Sequence, residues 1–202
     1  MAELVKVVVD AMGGDNAPEE PVKAAVEAVK EREDIFVILT GLEDVIKKEL
    51  NKYQGYPEER IQIVHTSEVI ETAEPPVFAN PQKKDSSIVV GLNLVKKHEA
   101  DAFVSSGSTG AVLVGGQVLV GRSKGVERPP LAPLIPTMEG VSLLIDCGAN
   151  VDARPSHLVQ FAKMGSIYME QVVGIKNPRV AIVNNGAEEE KGNALVKETS
   201  RF

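Results

Sequence analysis

An α/β fold, three layers thick and built on a mostly parallel sheet, is what this sequence predicts. Apolar β-branched runs recur along the chain, glycine-containing turns close most of them, and amphipathic helical stretches separate one run from the next. Strand, turn and helix in that alternation give right-handed crossovers and a parallel sheet covered on both faces. One α/β domain is expected over residues 1–202. It is truncated at its C-terminal end in this reading, because ALVKETSRF opens a helix and goes no further.

The elements follow in order. Leu4–Ala11 (LVKVVVDA) reads as a buried parallel strand that runs into Gly13-Gly14. Pro21–Arg32 places Val22, Ala25, Val26 and Val29 on one helical stripe. Ile35–Thr40 is the next strand, Glu43–Tyr53 a charged amphipathic helix, and Arg60–His65 the third strand. From 66 to 85 the periodicity breaks. Prolines at 75, 76 and 81 argue against a regular helix, and the stretch reads either as a functional loop or as a short helix with a surface excursion. Ser86–His98 is helical, Ala102–Ser105 a short strand, and Thr109–Gly121 a helix of small residues. Val141–Asp146 is expected as a further strand, Pro155–Val173 as a helix, and Arg179–Asn184 as the last strand.

Composition narrows the function. Lys and Arg number 22 against 29 Asp and Glu, a net charge of −7, which disfavours a general nucleic-acid binder. With the single cysteine Cys147, an internal disulfide framework and a cysteine-based zinc cage are excluded. His65, His98 and His157 lack metal-binding spacing, so no metal is expected. No secretory signal is visible, and the apolar stretch Ala111–Val120 falls short of the roughly 20 residues a spanning helix needs. A cytoplasmic protein is expected.

Ligands of open α/β sheets gather beyond the carboxyl ends of the strands, and four turns there have suitable composition. These are Asp10–Asp15, Ser105–Gly110, Asp146–Asn150 and Asn184–Asn193. Ser105–Gly110 suits phosphate best. It holds the hydroxyls of Ser105, Ser106, Ser108 and Thr109, the glycines Gly107 and Gly110, and no carboxylate. The same residues also suit a helix cap. The turn matches neither the dinucleotide fingerprint nor the Walker A pattern. Lys191, between an acidic run and Gly192-Asn193, could neutralise a phosphate or an oxyanion, or simply be solvated. Asp10, Asp15 and Asp146 end strands, where a carboxylate can hold a metal, orient a ligand or act as a base; Asp15 also suits a helix cap. Cys147 has no histidine beside it and reads as a packed thiol. Lys83, Lys84, Arg122, Lys124 and Arg128 concentrate positive charge that fits either a solvated face or an acidic protein partner.

Taken together, VVVDAMGGDNAP, KKDSS at 83–87, EADAFVSSGSTGA, VGRSKGVERPPLAPLIPT, DCGANVDARPSHLVQFAKMGS and EEEKGN occur in an order that resembles the bacterial acyl-carrier-protein:phosphate acyltransferases of phospholipid synthesis. The resemblance covers nearly the whole chain. It departs at Ser108, where many relatives carry Asn, across 72–82, and at Asn185 and Glu190.

The resemblance implies a Rossmann-like α/β/α homodimer, similar to phosphotransacetylases and isopropylmalate-type dehydrogenases, that needs no cofactor. It implies transfer of a fatty acyl group from acyl carrier protein to inorganic phosphate. Phosphate is then expected against Ser105, Ser106, Gly107, Ser108, Thr109 and Gly110, near Gly13, Gly14 and Asp15. Asp146, Asn150 and Asn184 join that binding set, and Lys191 and Asn193 act on the reacting groups. The basic residues face the carrier protein. Peripheral association with the inner face of the membrane would come through the C-terminal part that this chain lacks. Two other readings stay open: a short-chain phosphotransacetylase using coenzyme A, and a fragment that binds phosphate or carrier protein without catalysis.

Overall fold

A computed structural model describes residues 4–186, 188 and 191–201. The chain forms two compact units, Met1–Gly121 and Arg122–Phe202, each described by itself.

In the first unit, strands β1 (Val5–Asp10), β2 (Ile35–Gly41), β3 (Ile61–His65) and β4 (Ala102–Val104) form a parallel sheet in the order β3-β2-β1-β4. Helices α1 (Glu19–Glu31) and α2 (Glu43–Leu50) cover one face and α4 (Ser87–Lys96) the other; α3 (Pro76–Gln82) and α5 (Thr109–Gly115) complete the unit. Strand alternation explains the two cores. Val9, Val37, Leu39, Ile61 and Ile63 pack with Val22, Val26 and Val29 of α1 and Ile46 of α2. The alternate residues Val8, Phe36, Ile38 and Val64 pack with Leu94, Val95 and Ala100. Val8, Val22, Leu39 and Ile46 have no exposed surface, and each such side chain contributes about 1.5–3 kcal/mol by leaving water.

Register decides what shares the rim. Asp10 lies beside Thr40, and Val9 pairs with Val104, so Ser105 emerges next to Asp10. Two turns far apart in sequence therefore leave the sheet as neighbours.

Of the two readings of 66–85, the structure takes the short helix with a surface excursion. Residues 76–82 are helical, because Pro76 occupies the first turn, where its missing N–H is no loss. Pro81 sits near the end of a short helix and removes a single ladder bond, while Lys83 N still donates to Ala79 O at 2.8 Å. Ile70 and Ala79 bury this segment against Ile88, Val89, Leu92 and Ala111. The single helix expected over 109–121 is instead α5 followed by a π-helical turn over Gly116–Val120, closed by Gly121 N to Gly116 O at 2.9 Å.

The second unit corrects two strand expectations. Val141–Asp146 does not join a parallel sheet; β6 (Gly140–Leu143) pairs antiparallel with β5 (Leu134–Thr137), because Met138-Glu139 reverse the chain tightly. Arg179–Asn184 forms no strand. It is exposed and has no ladder partner among the described residues, and a strand exists only where its backbone groups are paired. Helix α6 (Pro155–Tyr168) buries Phe161 and His157, whose rings stack with centroids 6.3 Å apart. His157 Nδ1 accepts from Arg154 N at 3.1 Å, which leaves Nε2 facing Glu127 Oε2, also at 3.1 Å. Helix α7 (Ala194–Thr199) is the last element among the described residues.

Candidate functional site

The site grows from the Asp10 carboxylate. Asp10 is 1% exposed. Its Oδ1 accepts the Met12 amide at 3.1 Å, turning the chain back on itself after β1. Its Oδ2 accepts the Ser105 hydroxyl at 2.7 Å, and Ser105 Oγ accepts the Gly107 amide at 3.0 Å. The Gly13 turn and the Ser105–Gly107 loop pack directly on each other. A Cβ built at Gly13 would lie 2.4 Å from Asp10 Oδ2 and 2.7 Å from Gly107 N, so only glycine permits this approach. Gly14, at φ +99°, rests over Ser106.

Beside these turns a cleft of about 660 Å³ opens on the α1 side of the sheet. Val7, Val9, Val37 and Val104 line its floor, and Gly13–Asn16 with Ser105–Gly107 line its mouth. Of the expected phosphate residues, Gly13, Gly14, Asp15 and 105–107 thus come together here. Asp15 does not cap α1, whose N-cap is Pro18; it stands exposed at the mouth. Asp10, Asp15 and Glu20 are the charged residues of the lining, and no Lys or Arg is among them.

The expected hydroxyls divide. Ser105 is taken by Asp10, and Ser108 caps α5 by accepting Ala111 N at 3.3 Å. Ser106 and Thr109 are exposed and have no partner among the described residues. Gly110 lies at the start of α5.

The second unit holds the remaining candidates. The Asp146 carboxylate accepts from Leu131 N at 2.6 Å, Ala149 N at 3.3 Å and Asn150 N at 2.7 Å. The Asn150 side-chain amide donates to Pro129 O at 3.1 Å and Asp146 Oδ2 at 3.3 Å, so donation to a ligand would first break these bonds. Asn184 Oδ1 accepts Asn185 N at 2.8 Å, and Asn193 caps α7 by accepting Val196 N at 3.0 Å; among the described residues its amide hydrogens have no partner. The Lys191 stem folds back over Gly186, where a Cβ would sit 2.8 Å from Lys191 Cγ. Glu189 and Glu190 of the acidic run lie outside the described residues.

Among the basic residues, Lys83 is engaged inside the excursion. Its Nζ donates to Val69 O at 2.6 Å and pairs with Glu74. Arg122 donates to Glu127 O and is exposed, as are Lys84, Lys124 and Arg128. Sequence reasoning missed the Ser67–Asp85 clamp. Asp85 Oδ2 accepts both the Ser67 hydroxyl at 2.6 Å and the Ser67 amide at 2.9 Å. These bonds hold the Asp85 carboxyl below its ordinary value, and the Lys83 hydrogen bond does the same for Glu74. The sequence signal was only that Ser67 and Asp85 stand at the two ends of the broken periodicity.

Fold and cleft together define a class: an α/β protein that presents glycine and hydroxyl loops at the carboxyl rim of a parallel sheet, where such folds hold small ligands. The chain belongs to the family described as fatty acid synthesis protein, which it matches over residues 5–202. It is 55% identical over 194 residues to a phosphate acyltransferase of Alkaliphilus oremlandii, covering 96% of this chain and 57% of that protein. It is 51% identical over 198 residues to one of Clostridium novyi, covering 98% and 59%. A third, of Clostridioides difficile, is 50% identical over 194 residues, covering 96% and 56%. The chain therefore spans a little under three-fifths of the length of these curated relatives. Among solved structures, the EutD phosphotransacetylase from Staphylococcus aureus superposes with TM-score 0.67 at 19% identity, covering 98% of this chain and 63% of that one. That likeness concerns the fold. Among the described residues, no helix is long and apolar enough to cross a membrane.

Proposed function

We propose that this chain supplies the phosphate-holding part of an acyltransferase that moves a fatty acyl group from the thioester of acyl carrier protein to inorganic phosphate. The observation that carries the reading is the junction of the Gly13-Gly14 turn with the Ser105–Gly107 loop beside the cleft. Relatives named phosphate acyltransferase, alike over nearly the whole chain, support it.

In the reaction, a phosphate oxygen attacks the thioester carbonyl carbon. The C–O bond forms, a tetrahedral oxyanion collapses, the C–S bond breaks, and the carrier's sulfur leaves as a thiolate that takes up a proton. No acyl-enzyme is formed. Ser106 and Thr109 offer hydroxyls to phosphate, and Gly14 lets the backbone approach. Holding two substrates in line is worth about 7–11 kcal/mol. The rim's carboxylates repel an anion, so the reaction needs a cation. Lys191 fills that role by its charge, with Asn193 and Asn184 offering amide hydrogens. Lys84, Lys124 and Arg128 would meet the acidic carrier. A cytoplasmic homodimer in contact with the inner face of the membrane belongs to the same proposal.

The test measures acyl phosphate made from acyl carrier protein thioester and from acetyl-CoA, with this chain and with a version of the relatives' full length. Acyl phosphate from the carrier thioester supports the reading. Product from acetyl-CoA alone replaces it with a short-chain phosphotransacetylase. Phosphate or carrier binding without turnover in either version reduces it to a binding module.

A further inference from the structure

Asp10 is an almost wholly buried carboxylate at the sheet rim, and no Lys, Arg or His pairs with it among the described residues. A buried charge persists only where hydrogen bonds replace water. Two donors do so here, the Met12 amide on Oδ1 and the Ser105 hydroxyl on Oδ2.

The direction of these bonds matters. An ionised carboxylate only accepts, so Ser105 must spend its one proton on Asp10. Its oxygen then turns lone pairs outward and accepts the Gly107 amide. The order runs from carboxylate to hydroxyl to loop amide and links the end of β1 to the turn after β4. An asparagine of the same size could be seated either way round and would not impose that order. Gly13 and Gly107 close around the linkage, since a Cβ at Gly107 would fall 3.1 Å from Gly13 Cα.

The geometry points to Asp10 as a positioning residue: through the Ser105 hydroxyl it holds the Ser105–Gly107 loop in its ligand-ready shape, while Ser106 and Thr109 stay free for phosphate. This rests on the reading of that loop as a phosphate holder. Asp10 touches no substrate in this account and acts through Ser105 alone.

The test uses the 202-residue chain with inorganic phosphate as the probe. Phosphate affinity is measured by titration calorimetry, protection of the Gly107 amide by hydrogen exchange, and the unfolding midpoint by heating. Asp10→Asn and Ser105→Ala should each weaken phosphate binding about tenfold, the size expected for losing one hydrogen bond to a charged group. Each should speed Gly107 exchange by a similar factor, while the midpoint falls only by the few degrees that losing one hydrogen bond to a buried carboxylate costs. The double variant should lose no more than the worse single one, because both cut the same linkage.

Parent-like binding and protection in Asp10→Asn would overturn the proposal, as would losses that multiply in the double variant. So would affinity losses that merely follow the midpoint. If Asp10→Asn does not fold, Ser105→Ala carries both readouts. If the parent chain binds no phosphate, the functional reading fails by itself. Gly107 exchange still decides the role of Asp10: faster exchange in Asp10→Asn supports it and unchanged exchange overturns it.

Discussion

Gly110 and Pro76 are in direct contact: a Cβ at Gly110 would lie 2.6 Å from Pro76 Cγ. The first residue of α3 therefore rests on the first turn of α5, and the irregular excursion is seated against the helix that follows the Ser105–Gly110 loop. Gly110→Ala should destabilise the chain by about 1–3 kcal/mol, the usual effect of overpacking. Gly116, where a Cβ would meet nothing within 4 Å, is the control. Gly116→Ala should be neutral or stabilise by about 0.5–1 kcal/mol. Denaturant unfolding of both variants measures the difference, and equal effects would separate α3 from α5.

Gly13→Ala should weaken phosphate binding as well as destabilise the fold. The added methyl meets Asp10 Oδ2 and the Gly107 backbone, and a backbone cannot step aside as a side-chain tip can. Phosphate affinity should fall at least about tenfold, equivalent to roughly 1.4 kcal/mol. Titration with inorganic phosphate reads the loss. Undiminished affinity would move the ligand away from this turn.

Acid should loosen the excursion first. Asp85 and Glu74 both have carboxyls held below their ordinary values, by the Ser67 hydroxyl and by Lys83 respectively. A depressed folded value means that the stabilisation is present above the unfolded value, near pH 4, and is lost as pH falls through the folded one. Hydrogen-exchange protection across 66–85, relative to the intrinsic rate at each pH, should therefore fall below about pH 4 while β1 and β2 remain protected. Asp85→Asn should show raised exchange already at neutral pH and a flatter acid response. An excursion that opens together with the sheet would contradict this.

In a version of the relatives' full length, Lys191→Ala should lower acyl phosphate turnover about 10²–10³-fold, the effect of removing one group that stabilises an oxyanion. Circular dichroism should show the fold intact. Cys147→Ala should keep its turnover, because phosphate is the nucleophile. Near-normal turnover in the first variant removes Lys191 from the chemistry, and an inactive but folded second variant restores a thiol mechanism.

Much of the first unit was readable in advance. The apolar runs at 5–10, 35–41 and 61–65 are strands, and the stripe of Val22, Ala25, Val26 and Val29 is the buried face of α1. Periodicity is a local property, so it survives without knowledge of the fold. The Gly13-Gly14 turn and the Ser105–Gly110 loop were legible for the same reason, since glycine and hydroxyl residues bunch where strands end. Arg179–Asn184 was misread because β-branched composition allows an extended backbone but does not provide a partner strand. The sequence left 66–85 open between a loop and a short helix, because a count of prolines does not say that Pro76 falls in the first turn and Pro81 near the last.

The chain alone determined the alternation of elements, the apolar faces and the residue types at the sheet rim, because each depends on neighbours within a few positions. Only the tertiary structure decided that Asp10 meets Ser105, that Ser108 caps a helix while Ser106 stays free, and that Lys83 turns inward to Glu74. Strand register sets the first of these, and a register joins residues that nothing in their local sequence relates.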